Sequence, residues 1–357
     1  MAKRGPHGNY KLRDMLSTNK LILTTGTSVI ILLASACNFF SSNESSNKTN
    51  SDKKSATKQE ENRLITPDFN ADSAYYYIET QVKFGPRVPN SDEHLECAQY
   101  LAETLKRMGA DVIVQKGEVR AFDNTRLNIR NIIGSFEPDK SDRILLFAHW
   151  DTRPFADHDP DPSKRNMPID GANDGASGVG VLLEIARHLK DNPTNPGIDI
   201  IFFDAEDYGI PDHIETQWQP DTWALGSQYW GKNNHVEDYY ARYGILLDMV
   251  GAKDAQFYQE QNSLQYAPDL VNHIWNRAHQ LGYSHFFNFN RGGRITDDHV
   301  YVYQYTGIPS VNIIEYDPES PTGFGSYWHT HDDNMSIIDK KTLKAVGQTV
   351  MEVIYSE

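Results

Sequence analysis

Four apolar runs constrain this chain more than any other feature: "RILLFAHWD", "IDIIFFDAED", "YGILLDMVG" and "IPSVNII". A half-buried strand alternates apolar and polar residues, whereas a strand covered on both faces reads apolar almost throughout. The stretches between and beyond them have apolar residues at three-to-four spacing, as in "GASGVGVLLEIARHLKD", "APDLVNHIWNRAHQLGY" and "KTLKAVGQTVMEVIYS". Buried strands that alternate with helices predict an α/β fold: a mixed, largely parallel central sheet flanked by helices on both faces. Upstream, "ADSAYYYIETQVKFG" and "SDEHLECAQYLAETLKRMG" read as helices, the second capped by Ser91 and stopped at Gly109. "ADVIVQKGEVR" and "RLNIRNIIGSFE" alternate like half-buried strands. Cys97 sits at helical spacing among Leu95, Ala98 and Leu101, as expected of a buried structural thiol.

In such sheets ligands gather beyond the carboxyl ends of the strands. There the apolar runs turn acidic. The first ends on His149 and Asp151, the second on Asp204, Glu206 and Asp207, and the third on Asp248. The fourth leads to "YWHTHDDN", with His329 and His331, and "GANDGASG" places Asp174 in a glycine-rich turn that opens a helix. Each residue alone has a structural explanation; Asp174 could cap its helix, and His149 could be a satisfied core histidine. Together they crowd carboxylates at the mouth of an apolar core, where they repel one another and resist desolvation. A divalent cation turns that repulsion into shared attraction, and a carboxylate and imidazole set without thiolate suits zinc.

The N-terminus carries a different signal. Lys3, Arg4, Lys11, Arg13 and Lys20 precede or flank the apolar stretch "LILTTGTSVIILLASAC". A basic segment, a short apolar segment and small residues before a cysteine are the layout of a secretion signal. "LASAC" resembles a bacterial lipobox, which would make Cys37 the lipid-bearing first residue of the mature protein. Residues 1–37 are therefore expected to be a lipoprotein-type signal, and the polar, Ser/Asn/Lys-rich residues 38–66 a flexible tether. Residues 67–357 are expected to form one zinc-dependent catalytic domain. The expected location is the bacterial cell envelope, lipid-anchored and periplasm-facing, with Asn38 favouring the outer membrane over the inner. A formal net charge of -15 argues against a nucleic-acid partner, which would require a basic face.

The ordered set "AHWD", "GANDGASG", "FFDAED", "LLDMVG" and "WHTHDD" resembles the zinc aminopeptidase superfamily and, within it, the glutaminyl cyclases (glutaminyl-peptide cyclotransferases). The resemblance covers roughly residues 70–357. It implies one zinc per chain held by Asp174, Asp207 and His329, with His331 as the alternative to His329. It implies Glu206 as general acid and base, Asp248 and Asp297 as a hydrogen-bonded acid pair, and Trp218 and Trp328 as pocket walls. The implied reaction converts the N-terminal glutamine of peptides and proteins to pyroglutamate and releases ammonia. The competing reading is a two-metal aminopeptidase of the same fold, because His149 and Asp248 match the extra ligands such enzymes use. Two departures stand out. Asn312 replaces a histidine of the animal cyclases, and "YGIPDHIETQW" is longer than its animal counterpart.

Overall fold

The computed structural model describes residues 64–215 and 219–357; the expected signal segment, Cys37, most of the tether and Trp218 lie outside the described residues. Two helices open the fold, α1 (Ala71–Val82) and α2 (Asp92–Arg107). Strands β1 (Asp111–Arg120), β2 (Arg126–Phe136) and β3 (Arg143–His149) follow, then α3 (Ala176–Leu189) and β4 (Gly197–Phe203). Next come α4 (Leu225–Lys232), β5 (Gly244–Asp248), β6 (Phe257–Gln259), α5 (Gln261–Tyr266) and α6 (Pro268–Gln280). The chain closes with β7 (Phe287–Arg291), α7 (Asp298–Thr306), β8 (Ser310–Ile314) and α8 (Lys340–Tyr355).

The central sheet has the order β1-β2-β4-β3-β5-β8. β4, β3, β5 and β8 pair in parallel, while β2 runs antiparallel to both β1 and β4. Every residue of β3, β4, β5 and β8 is buried, which is why their sequences carry no alternation. Successive residues of β3 face opposite cores. Ile144, Leu146 and Ala148 join the large cluster that includes α1, α2, α3, α6 and α8 residues. Leu145 and Phe147 join Trp230 of α4 and Val302 of α7 on the other face. Helices therefore cover both faces, as the apolar runs predicted. Leu64, in the segment expected to be tether, packs against the large cluster.

Sequence order changes direction at β3. The chain goes from β3 to β4 on one side, then returns to β5 on the other. Such a switch leaves a crevice at the carboxyl ends of these strands, and His149 and Asp248 stand at its edge. Helix α3 approaches closely enough that a Cβ on Gly178 would lie 2.1 Å from the Leu247 carbonyl oxygen. That glycine brings the start of α3, with Asp174 just before it, over the ends of the strands.

Candidate metal centre

Asp174 does not cap its helix. The cap position is Gly175, at φ 99, and no side chain caps the first turn. A Cβ on Gly175 would meet the Asp151 carbonyl at 2.5 Å, so the turn closes only with glycine. Asp333 fixes this turn by accepting the N–H groups of Asn173 and Asp174 at 2.7 and 3.0 Å. The Asp174 carboxylate is left to face two imidazoles. His149 Nε2 lies 3.0 Å from Asp174 Oδ1, and His329 Nε2 lies 3.7 Å from Asp174 Oδ2.

The turn after β4 is held as firmly. Asp204 accepts from Arg130 N and Ala205 N and pairs with buried His94, whose ring stacks on Trp150. Ala205 is held at φ 51. Asp151, from the end of β3, accepts the N–H groups of Glu206 and Asp207. Consecutive side chains then diverge: Asp207 Oδ1 stands 3.3 Å from His329 Nε2, and Glu206 lines the cleft beside it.

Asp174, Asp207 and His329 thus form one group whose ligand atoms all lie within 4.8 Å of one another. Ligand atoms about 2.0–2.1 Å from a tetrahedral ion stand roughly 3.4 Å apart, close to the 3.3 and 3.7 Å seen here. Asp207 Oδ2 is buried without a hydrogen-bond partner. Burial and the adjacent Arg153 guanidinium push His329 down to about 4, so the ring is neutral, as a metal ligand must be. Burial pushes Asp207 up to about 7 against the pull of Arg153 and His149, and raises Asp174, with Asp207 as a second cause. Acids this reluctant to ionise fit a cation, which restores their charge. The residues fit zinc, and all three also line the cleft.

A second group, His149, Asp174 and Asp248, shares Asp174 with the first. Burial opposes charge on His149, but hydrogen bonds to Asp151, Asp174 and Asp248 outweigh it and hold the imidazole well above its usual range. His331 belongs to neither group; its Nδ1 faces Asp159 Oδ2 at 2.7 Å.

Around the metal-ligating set lies a cleft of about 1050 Å³, lined by Glu206, Asp248, Asp297, Trp223 and Trp328 among others. Burial drives Glu206 well above the ordinary carboxylate range, and Asp297, Asp207 and Asp298 add to the rise while His149 opposes it. Burial and the neighbouring Asp248 bring Asp297 to about 7. Asn312, the departure from the animal pattern, donates Nδ2 to Asp297 Oδ2 at 2.7 Å and so still supports that acid. Trp328 stacks on His329 with ring centroids 3.6 Å apart. Trp223 lies parallel to the same imidazole at 6.0 Å. The resemblance pointed to Trp218 for this wall, which lies outside the described residues; Trp223, five positions on, was missed. Arg153, Asp157 and Asp333 were missed as well, because the metal-ligating residues they touch are remote in sequence.

Residues 131–354 match the family model described as peptidase family M28. The chain belongs to peptidase family M28. Among solved M28-like structures it is 59% identical to a Zn-dependent exopeptidase from Parabacteroides distasonis, with TM-score 0.81, covering 82% of this chain and 100% of that one. It is 56% identical to the glutaminyl cyclase of Tannerella forsythia, with TM-score 0.80 and the same coverages. Among curated proteins it is 29% identical to aminopeptidase YwaD of Bacillus subtilis over 266 residues, 70% of this chain and 50% of that protein. The chain thus spans about half the length of that aminopeptidase.

Proposed function

We propose that this M28 protein is a glutaminyl cyclase with one zinc ion held by Asp174, Asp207 and His329. The observation that carries the reading is the split at the turn after β4. Asp207 faces the metal-ligating set while its neighbour Glu206 faces a cleft walled by Trp223 and Trp328. The 56% identity to the T. forsythia cyclase supports it.

The chemistry needs no external water. The two indoles flank a slot suited to the flat amide of a glutamine side chain, which keeps the α-amine folded over its own γ-carbonyl. Tethering of nucleophile to electrophile makes the attack intramolecular. Zinc, when bound, supplies a Lewis acid that polarises the γ-carbonyl. Glu206 accepts a proton as the α-nitrogen attacks the γ-carbon, then returns it to the departing amide nitrogen. The new C–N bond closes the pyroglutamyl ring, the old one breaks, and ammonia leaves. A group that takes and gives the same proton benefits from a raised pKa. Asp297, bonded to Asn312 and adjacent to Asp248, adds its charge to the forces that hold Glu206 above the ordinary carboxylate range.

The second reading, a two-metal aminopeptidase, has its own support in the His149, Asp174 and Asp248 group. Metal analysis separates the two: one tightly bound zinc per chain supports the cyclase, and two support the peptidase. The cell-envelope location and the lipid on Cys37 belong to the same proposal. Palmitate labelling that disappears in Cys37→Ser is the expected result, and an unlabelled wild-type protein would refute the anchor.

A further inference from the structure

We propose that Arg153 and Asp157 are positioning residues that set His329 and Asp207 for metal capture. Both lie in the loop after β3, four residues apart and buried. Arg153 grips Asp157 with two parallel bonds, Nε to Oδ1 at 2.7 Å and Nη2 to Oδ2 at 2.8 Å. This fork holds the carboxylate in one orientation. Asp157 Oδ1 then meets His329 Nδ1 at 3.2 Å, a bent contact rather than a linear hydrogen bond. With Nδ1 turned to Asp157, the opposite nitrogen, Nε2, is presented to Asp174 and Asp207.

The same guanidinium reaches the other ligand directly. Arg153 Nη1 donates to the Asp207 backbone carbonyl at 3.0 Å and lies 3.4 Å from Asp207 Oδ1. One side chain therefore restrains two of the three metal-ligating residues, one through Asp157 and one through the backbone. His329 needs such restraint: it sits at φ 55, in the left-handed region, where a residue with a Cβ is strained. A carboxylate behind a metal-bound imidazole fixes both ring orientation and tautomer.

Asp157 has a further duty, since its Oδ2 accepts Asp212 N at 2.9 Å in the long rim segment noted in the sequence. A role confined to the rim would alter substrate affinity and leave metal affinity untouched. Metal binding is therefore the readout.

The inference rests on the zinc reading above, and its test separates the two. Metal-stripped full-length protein is titrated with zinc against a chromophoric chelator, and the melting temperature of the same metal-free samples is recorded. Asp157→Asn should bind zinc roughly ten- to hundred-fold more weakly than wild type. Asp159→Asn, which alters contacts to His331 and Asp161 N but touches neither His329 nor Asp207, should match wild type. Because Asp157→Asn leaves a buried guanidinium uncompensated, the neutral pair Arg153→Gln/Asp157→Asn supplies the same readout with no stranded charge, and it should be weakened as much. Wild-type zinc affinity in these variants, or a shift in KM alone, overturns the inference. Zinc loss in Asp159→Asn instead would assign the ligand to His331 and overturn it too. A wild-type protein that takes up no zinc would defeat the metal reading itself.

Discussion

The carboxylate of Asp151 accepts the backbone N–H of Glu206 at 3.0 Å, tying the end of β3 to the turn that ends β4. Its second oxygen accepts Asp207 N at 3.2 Å. One buried side chain thus sets the backbone from which base and ligand diverge. Asp151→Asn replaces an acceptor with a donor pointing at an N–H group. We expect a loss of about 1–3 kcal/mol in stability by urea unfolding. We also expect a loss of roughly ten-fold or more in turnover, because both functional side chains shift. Unchanged stability and turnover would show that the turn holds itself.

Glu206→Gln keeps size and shape and removes the proton acceptor. Turnover should fall roughly a hundred- to ten-thousand-fold. Zinc content and melting temperature should stay near wild type, since Glu206 is outside the metal-ligating group. Near-normal turnover would remove Glu206 from the mechanism, and zinc loss would make it a ligand.

Glu260 links the acid-sensitive part of the fold to the cleft. Its oxygens accept from Asn262 N, Ser263 N and Ile295 N, and Oε2 pairs with buried His299. Burial opposes the charge, but His299 and these N–H groups outweigh it and bring the carboxyl down to about 2 from 4.5. A depressed folded-state pKa contributes stability that is full above the unfolded value and is lost as pH falls. The window is therefore pH 4.5 to 2, and the contribution at neutral pH is about 3 kcal/mol. Glu260→Gln should be destabilised near pH 7, with the gap to wild type closing as pH approaches 2. A gap that stays constant with pH, measured by chemical unfolding, would contradict the assignment.

Burial pushes the Cys97 thiol up to about 12. A thiol this buried carries negligible thiolate at neutral pH. Alkylating reagent should leave Cys97 unmodified in the native protein and modify it fully after denaturation, as read by peptide mass mapping. Rapid native labelling would place this residue at an accessible surface.

The parts of the molecule that could be read from sequence are those whose partners are close in sequence or whose pattern is continuous. β3, β4, β5 and β8 announce themselves because both faces are covered, so their runs stay largely apolar up to the rim, with only Asp199 and Asn312 interrupting the interior of β4 and β8. Asp174 was legible through its glycine-rich turn, since only a backbone that must bend sharply needs that composition. The acids after β4 were visible as a cluster. The division of labour between Glu206 and Asp207 came from resemblance, since it depends on Asp151, which is remote in sequence. Arg153, Asp157 and Asp333 left no local trace; their partners are His329, Asp207 and Asp174. "WQPDTWALGS" contains two tryptophans, and nothing in their spacing says that Trp223 lies parallel to the His329 imidazole. Short elements such as β6, β7 and α5 owe their form to tertiary packing more than to periodicity.

The proposed cleft chemistry is cyclisation of glutamine, in place of hydrolysis of a peptide bond. Purified zinc-loaded protein is given one peptide that begins with Gln and one that begins with Leu, and products are followed by mass spectrometry with a parallel ammonia assay. Only the Gln peptide should change, losing the mass of one ammonia while its chain stays whole. Free leucine released from the second peptide, with the Gln peptide uncyclised, would contradict it.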